Sequence, residues 1–169
     1  MKCAIIYSSM TGNTKLLADG VYRQLDELVP IYTVKDKFDL DTYDTLCLGY
    51  WIKKGGCDKA TKKVWDNIQG KRIILFGTMG VNPESEVGQQ QIEKIERLLA
   101  DRNEILAHFV CSGKMEAEQL ALCEEKLAAS DENPPAIQAQ VDNAANAANH
   151  PDRMDVLELQ RLIHEVLKR

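Results

Sequence analysis

Residues 2–18 limit this chain's folding choices more than any other stretch. A short apolar run, Ile5-Ile6-Tyr7, leads into a loop with the hydroxyls Ser8, Ser9, Thr11 and Thr14, and a helical pattern follows at once. A continuous apolar run bounded by turn residues reads as a strand buried on both faces. Gly12 lets the backbone turn tightly and approach a ligand. The first N–H groups of the following helix have no partner inside it and lie at the positive end of its dipole. Hydroxyl donors and open N–H groups together make a phosphate cradle that needs neither lysine nor arginine.

The same alternation continues along the chain. Strand patterns occupy residues 2–7, 30–34, 45–49, 72–77 and 105–111, and helical patterns occupy 12–28, 58–68, 86–101, 115–129 and 155–168. Within the third helix, Ile92, Ile95, Leu98 and Leu99 recur at spacings of three and four, which gives one apolar face. Strands alternating with helices build βαβ units, so an α/β fold is expected, with a parallel sheet between two helical layers. A length of 169 residues predicts one domain over 1–169. Its last part, 130–169, reads as a C-terminal helical extension packed on that domain. Ser130 opens a polar loop ending in Pro134-Pro135, a weakly amphipathic Ala/Asn stretch follows, and the His150-Pro151 break leads to a final helix. Asp152 is the expected N-cap of that helix, with Asp155 in a box-like position three residues on.

Composition narrows the function. A hydrophobic share of 44% and a charged share of 28% exclude disorder over the whole chain. Lys and Arg total 21 against 26 Asp and Glu, and the net charge of −5 argues against a nucleic-acid partner. No apolar stretch approaches the roughly 20 residues of a membrane span, and the start has no secretory pattern, so a cytoplasmic protein is expected. The five cysteines include no C-x-x-C pair, and His108, His150 and His164 have no ligand spacing, so no metal site is expected. Cys3, Cys47 and Cys111 lie in apolar runs, while Cys57 reads as an inert loop thiol.

Missing motifs narrow it further. There is no G-K-[ST] of a hydrolysing P-loop, no G-x-G-x-x-G and no G-x-S-x-G. Ser8 and Ser9 stand where a response regulator carries acids. A cradle without metal ligands suits a phosphate monoester that is held rather than transferred. The bland alternative is that the hydroxyls merely cap a helix, for which one or two would suffice.

Ser8-Ser9-Met10-Thr11-Gly12-Asn13-Thr14, with Ala18 four residues beyond, resembles the phosphate-loop signature of the flavodoxin family. The resemblance runs over about residues 1–129 and leaves the tail outside, where the chain is similar to a subgroup of the family from anaerobes. It implies a flavodoxin-like three-layer sandwich with a five-stranded parallel sheet in the order 2-1-3-4-5. It also implies flavin mononucleotide (FMN) as the cofactor. Met10 departs from the small or hydroxyl residue usual at its position, although its N–H still donates. Ligands of such sheets bind outside the carboxyl ends of the strands where the order reverses, and flavodoxin is itself the standard instance of that rule.

The resemblance assigns three loops to the cofactor. The first is Ser8, Ser9, Met10, Thr11, Gly12, Asn13 and Thr14. The second is Tyr50, Trp51, Ile52, Lys53, Lys54 and Gly55, where Trp51 is implied to stack on the isoalloxazine and the glycines to ease a peptide flip toward flavin N5. Lys53 and Lys54 depart from the acidic residues common there. They read either as solvated lysines or as positive charges that stabilise the reduced anionic flavin. The third is Thr78, Met79, Gly80 and Val81, without an aromatic residue, so the outer flavin face is expected either under Met79, Val81 or Pro83 or open to a partner. Gly113-Lys114 reads as a turn into a helix, farther from the crevice. The implied function is an FMN-binding electron-transfer protein that carries one or two electrons between a reductase and an acceptor enzyme, with redox partner proteins and no catalytic side chain. The alternatives are an FMN-dependent reductase of a quinone, nitro compound or tetrapyrrole, or an accessory flavin subunit of a larger anaerobic reductase.

Overall fold

The strand β1 (Cys3–Tyr7) is flanked by β2 (Ile31–Thr33) and β3 (Thr45–Lys53), both parallel to it. A computed structural model describes residues 2–25, 28–130 and 134–168, with the Lys53 side chain and the 26–27 end of the first expected helix outside the described part. β5 (Arg72–Met79) pairs with β3, and β6 (Glu104–Ser112) pairs with β5, again in parallel. β4 (Gly56–Cys57) folds back antiparallel on the end of β3. The order is β2-β1-β3-β5-β6, which without the short β4 is the 2-1-3-4-5 order implied by the resemblance.

Strand ends differ from the sequence reading. β3 runs on to Lys53 and β5 to Met79, because Tyr50 pairs with Gly77 and Trp51 with Thr78. Residues expected in a loop are therefore held in the sheet.

Successive side chains on a strand point to opposite faces, and here both faces are apolar. Cys3, Ile5, Cys47, Ile74 and Phe76 face a layer made by Leu17, Ala18 and Val21 of α1 (Asn13–Gln24) and Leu159 and Ile163 of α6 (Arg153–Leu167). Ala4, Ile6, Leu46, Leu48, Ile73 and Leu75 face the other layer. That layer holds Trp65 of α2 (Lys59–Trp65), with Ile68 just beyond it, and Ile95 and Leu99 of α3 (Glu86–Ala100).

The stretch after 130 divides in two. α5 (Pro135–Asn146) lies against α4 (Ala117–Ala128), where the Cys123 thiol donates to Gln140 Oε1 at 3.4 Å. α6 instead enters the core. Gly20 permits its close approach, since a Cβ there would lie 2.6 Å from Val156 Cγ1, and Gln160 Nε2 donates to the Gly20 carbonyl at 2.8 Å. A reciprocal cap starts α6: Asp152 Oδ1 accepts from the Met154 and Asp155 amides, and Asp155 Oδ2 accepts from the Asp152 amide. This is the cap expected from the sequence.

Candidate functional site

The loop after β1 turns on Gly12, whose φ of 91° and ψ of −13° lie in a left-handed region that L side chains rarely adopt. The Gly12 amide donates to Ser9 Oγ at 3.2 Å, and the Gly12 carbonyl accepts from the Leu16 amide at 3.0 Å. Side chains cap the other core helices: Asp58 on α2, Ser85 on α3 and Asp152 on α6. No side chain caps α1, so its first N–H groups stay available at the positive end of the helix. α4, which begins at the same rim, is also uncapped by a side chain.

Above this helix start opens a cleft of about 280 Å³. Met10, Thr11, Asn13 and Thr14 form one wall, Trp51 and Ile52 a second, and Thr78, Met79 and Gly80 a third. Thr14 is only 1% exposed. Its Oγ1 lies 3.0 Å from Thr78 Oγ1 and 3.3 Å from the Tyr50 carbonyl, so it ties α1 to β3 and β5.

The fourth wall corrects the sequence reading. Gly113, Lys114, Met115, Glu116 and Gln119 line the cleft, although Gly113-Lys114 was expected to lie away from it. Asn13 Nδ2 donates to the Lys114 carbonyl at 2.9 Å, and a Cβ on Gly113 would lie 3.0 Å from that same Nδ2. The available sequence signal was a glycine directly after a strand end, which marks a close backbone approach.

The remaining expected residues take other positions. Ser8, Ser9 and Gly12 line a second hollow, shared with Met10, on the β2 side of the loop beside Lys15, Thr33 and Lys35. Ser8 Oγ accepts from Trp51 Nε1 at 3.3 Å, which holds the edge of the indole. Burial would raise the Asp58 carboxyl, but hydrogen bonds from Thr61, Ser8 and the Thr61 and Ala60 amides outweigh it and hold the group below its ordinary range. Ser8 thereby links Trp51 to the cap of α2.

Tyr50 is the clearest correction. Its ring is fully buried on the α2–α3 face, 5.5 Å from Trp65 in a T-shaped contact, and reaches no wall of the cleft. Its hydroxyl lies 2.7 Å from His108 Nε2, and His108 Nδ1 lies 2.9 Å from Glu96. The Tyr50 carbonyl, in contrast, accepts from Thr14 Oγ1 on the cleft side. Lys54 and Gly55, at φ 50° and 76°, form the two-residue tip of the β3–β4 hairpin, as a type I′ turn requires. Lys54 is exposed at that tip, Gly55 sits near Gln91 of α3, and neither lines the cleft. Val81 is half-buried but also stands off the cleft wall, and the Lys53 side chain lies outside the described part.

The walls carry Lys114 and Glu116 as their only charged side chains among the described residues. Elsewhere, the fold brings His150, Asp152 and Asp155 within 4.8 Å of one another, which their spacing did not suggest. One oxygen of each aspartate is engaged in the α6 cap, and Asp155 Oδ2 also lies 2.7 Å from His150 Nδ1.

A family model described as a flavodoxin domain matches residues 4–164. The chain belongs to the flavodoxin family. The match passes residue 129, where the sequence resemblance stops, and takes in α5 and most of α6. The chain is 40% identical over 162 residues to a flavodoxin-like domain-containing protein BilS of Clostridioides difficile (strain CD3), covering 94% of this chain and 92% of that one. A protein of the same description from Clostridium symbiosum (strain WAL-14163) is 29% identical over 181 residues, with 96% and 94% covered. Among solved structures, a flavodoxin of Fusobacterium nucleatum bound to flavin mononucleotide aligns with a TM-score of 0.57 at 17% identity, over 98% of this chain and 95% of that one. Oxidised flavodoxin 1 of Bacillus cereus aligns with a TM-score of 0.51 at 17% identity, over 89% and 99%. These structural likenesses concern the fold. No helix among the described residues is long and apolar enough to cross a membrane.

Proposed function

We propose that this flavodoxin-family chain binds FMN in the cleft and carries electrons, one or two at a time, between a reductase and an acceptor protein. The observation that carries the reading is the uncapped start of α1 beneath a hydroxyl loop, opening into a cleft that Trp51, Ile52 and Met79 help to line. A terminal phosphate fits the α1 amides together with Thr11. A flat, partly apolar ring system fits Trp51, Ile52 and Met79. Thr14 acts by position: bonded to Thr78 and the Tyr50 carbonyl, it fixes the loop above the sheet.

When bound, the flavin supplies the redox chemistry, while the chain binds it, orients it and excludes water. Carriage rather than substrate turnover is favoured by the chemistry of the cleft. Among the described residues the walls carry only Lys114 and Glu116 as charged groups, with no ion pair between them to pass a proton to a substrate. Met10, 62% exposed at the rim, gives the mouth an apolar contact for a partner.

Titrating flavin-free protein with FMN and following flavin fluorescence tests this directly. Micromolar or tighter uptake is expected, weakened in Thr11→Val. Protein that takes up no FMN at micromolar concentration overturns the reading. Sustained oxidation of a reduced nicotinamide with a small-molecule acceptor would replace the carrier by a reductase.

A further inference from the structure

β6 is the open end of the sheet. It is nine residues long, and among the described residues no strand pairs with its outer edge, whereas the opposite edge strand, β2, has three residues. Long open edges are templates for added strands, and natural sheets usually blunt them. Here the blunting is partial. The register steps from Ile73↔Ile105 to Ile74↔Ala107, so a bulge at Leu106 interrupts the first part and leaves 107–112 regular.

A groove of about 490 Å³ runs along that regular part. Its floor is β6 from His108 to Ser112, and Ile92 of α3 and Glu158 of α6 stand on its sides. Glu84, Asp155 and Glu158 supply its carboxylates, His150 pairs with Asp155, and among the described residues no lysine or arginine lines it. The groove ends beside the cleft, because Ser112 lines the groove, Gly113 lines the cleft, and the Lys114 amide donates to the His150 carbonyl at 2.7 Å.

We propose that the β6 edge takes an extended, lysine- or arginine-bearing segment of a redox partner protein as an added strand, seating that partner beside the cleft. The idea rests on the carrier reading for its purpose. Backbone hydrogen bonds to the open edge supply affinity, and the carboxylates select a basic segment. Five residues of edge match about 17 Å of extended chain at about 3.3 Å per residue. A second copy of this chain is disfavoured as the occupant, since it would bring Glu84 and Glu158 against their own kind.

The test uses the intact chain and a synthetic six-residue peptide alternating lysine and valine. Hydrogen exchange should show new protection of amides within 107–112. The same peptide N-methylated at alternate amides should bind at least about tenfold more weakly, and the joint variant Glu84→Lys with Glu158→Lys should lose about as much. Equal binding of the N-methylated peptide would reduce the effect to bare charge attraction and overturn strand addition. So would protection elsewhere, no binding at about 1 mM peptide, or self-association of the chain protecting the same amides. FMN titration of the same sample keeps the two readings apart. FMN uptake without peptide docking sinks only the docking site, and docking without FMN uptake sinks only the carrier.

Discussion

Gly12→Ala isolates the backbone geometry on which the proposed FMN cradle depends. A Cβ added at Gly12 meets nothing within 4 Å, so the substitution introduces no clash. Its whole effect comes from φ at 91° and ψ at −13°, outside the small left-handed well open to L residues. Holding alanine there costs about 1–2 kcal/mol. If the loop keeps its shape, that cost appears as lost folding stability. If the loop relaxes, stability is spared, and FMN must restore the shape on binding, weakening its affinity by about 5- to 30-fold at 1.4 kcal/mol per tenfold. The two losses, from urea unfolding of the flavin-free chain and from FMN titration, should therefore sum to about 1–2 kcal/mol. Gly70→Ala is the control: Gly70 also has positive φ, 66°, with nothing within 4 Å, but lies in the turn before β5, at the end of the sheet away from the cleft. It should lower stability by about 1 kcal/mol and leave FMN affinity unchanged. A Gly12→Ala protein with unchanged stability and unchanged FMN affinity would refute the argument that this loop conformation builds the cradle.

The remaining predictions concern the groups behind the cleft. Tyr50→Phe leaves His108 Nε2 without its buried partner and should cost about 1–3 kcal/mol in urea unfolding, with FMN affinity retained because the ring lies outside the cleft. Asp152→Ala removes the α6 cap and should cost about 1 kcal/mol, and an unchanged Tm would contradict the cap's role. The two structural histidines should shape the pH profile in opposite senses. Burial, outweighing Glu96, holds His108 below its ordinary 6.5, so the unfolded chain takes up that proton first; this stabilisation is present above about 6.5 and is lost as pH falls through the depressed value. The hydrogen bond to Asp155 raises His150 above 6.5, so its contribution is full below about 6.5 and is lost as pH climbs through the raised value. His108→Gln should flatten the acid limb and His150→Gln the alkaline limb of stability against pH, and a limb that survives its variant refutes that assignment.

Much of the fold is legible because its signals are local. The apolar run of β1, the hydroxyls from Ser8 to Thr14, the three-four spacing of α3 and the Asp152–Asp155 cap each lie within one element or turn. Less was legible at Tyr50. A strand buried on both faces carries apolar residues at every position, so its pattern does not reveal which side a given ring takes. Where β3 ends was hidden for a related reason: Tyr50 and Trp51 remain strand because Gly77 and Thr78 lie opposite them, and that pairing belongs to β5.

The alternation of elements, the turn at Gly12 and the unspent amides of α1 are written locally in the chain, since sterics and neighbouring residues decide these within a few positions. Long-range packing set the wall from Gly113 to Gln119, which depends on Asn13 meeting Lys114 across 101 positions. It also decided that α6, rather than lying outside the sandwich, packs beside α1 through Gly20 and Gln160, 140 positions apart. Contacts at such separations depend on the packing of whole layers, and no local pattern encodes the layer a helix will join.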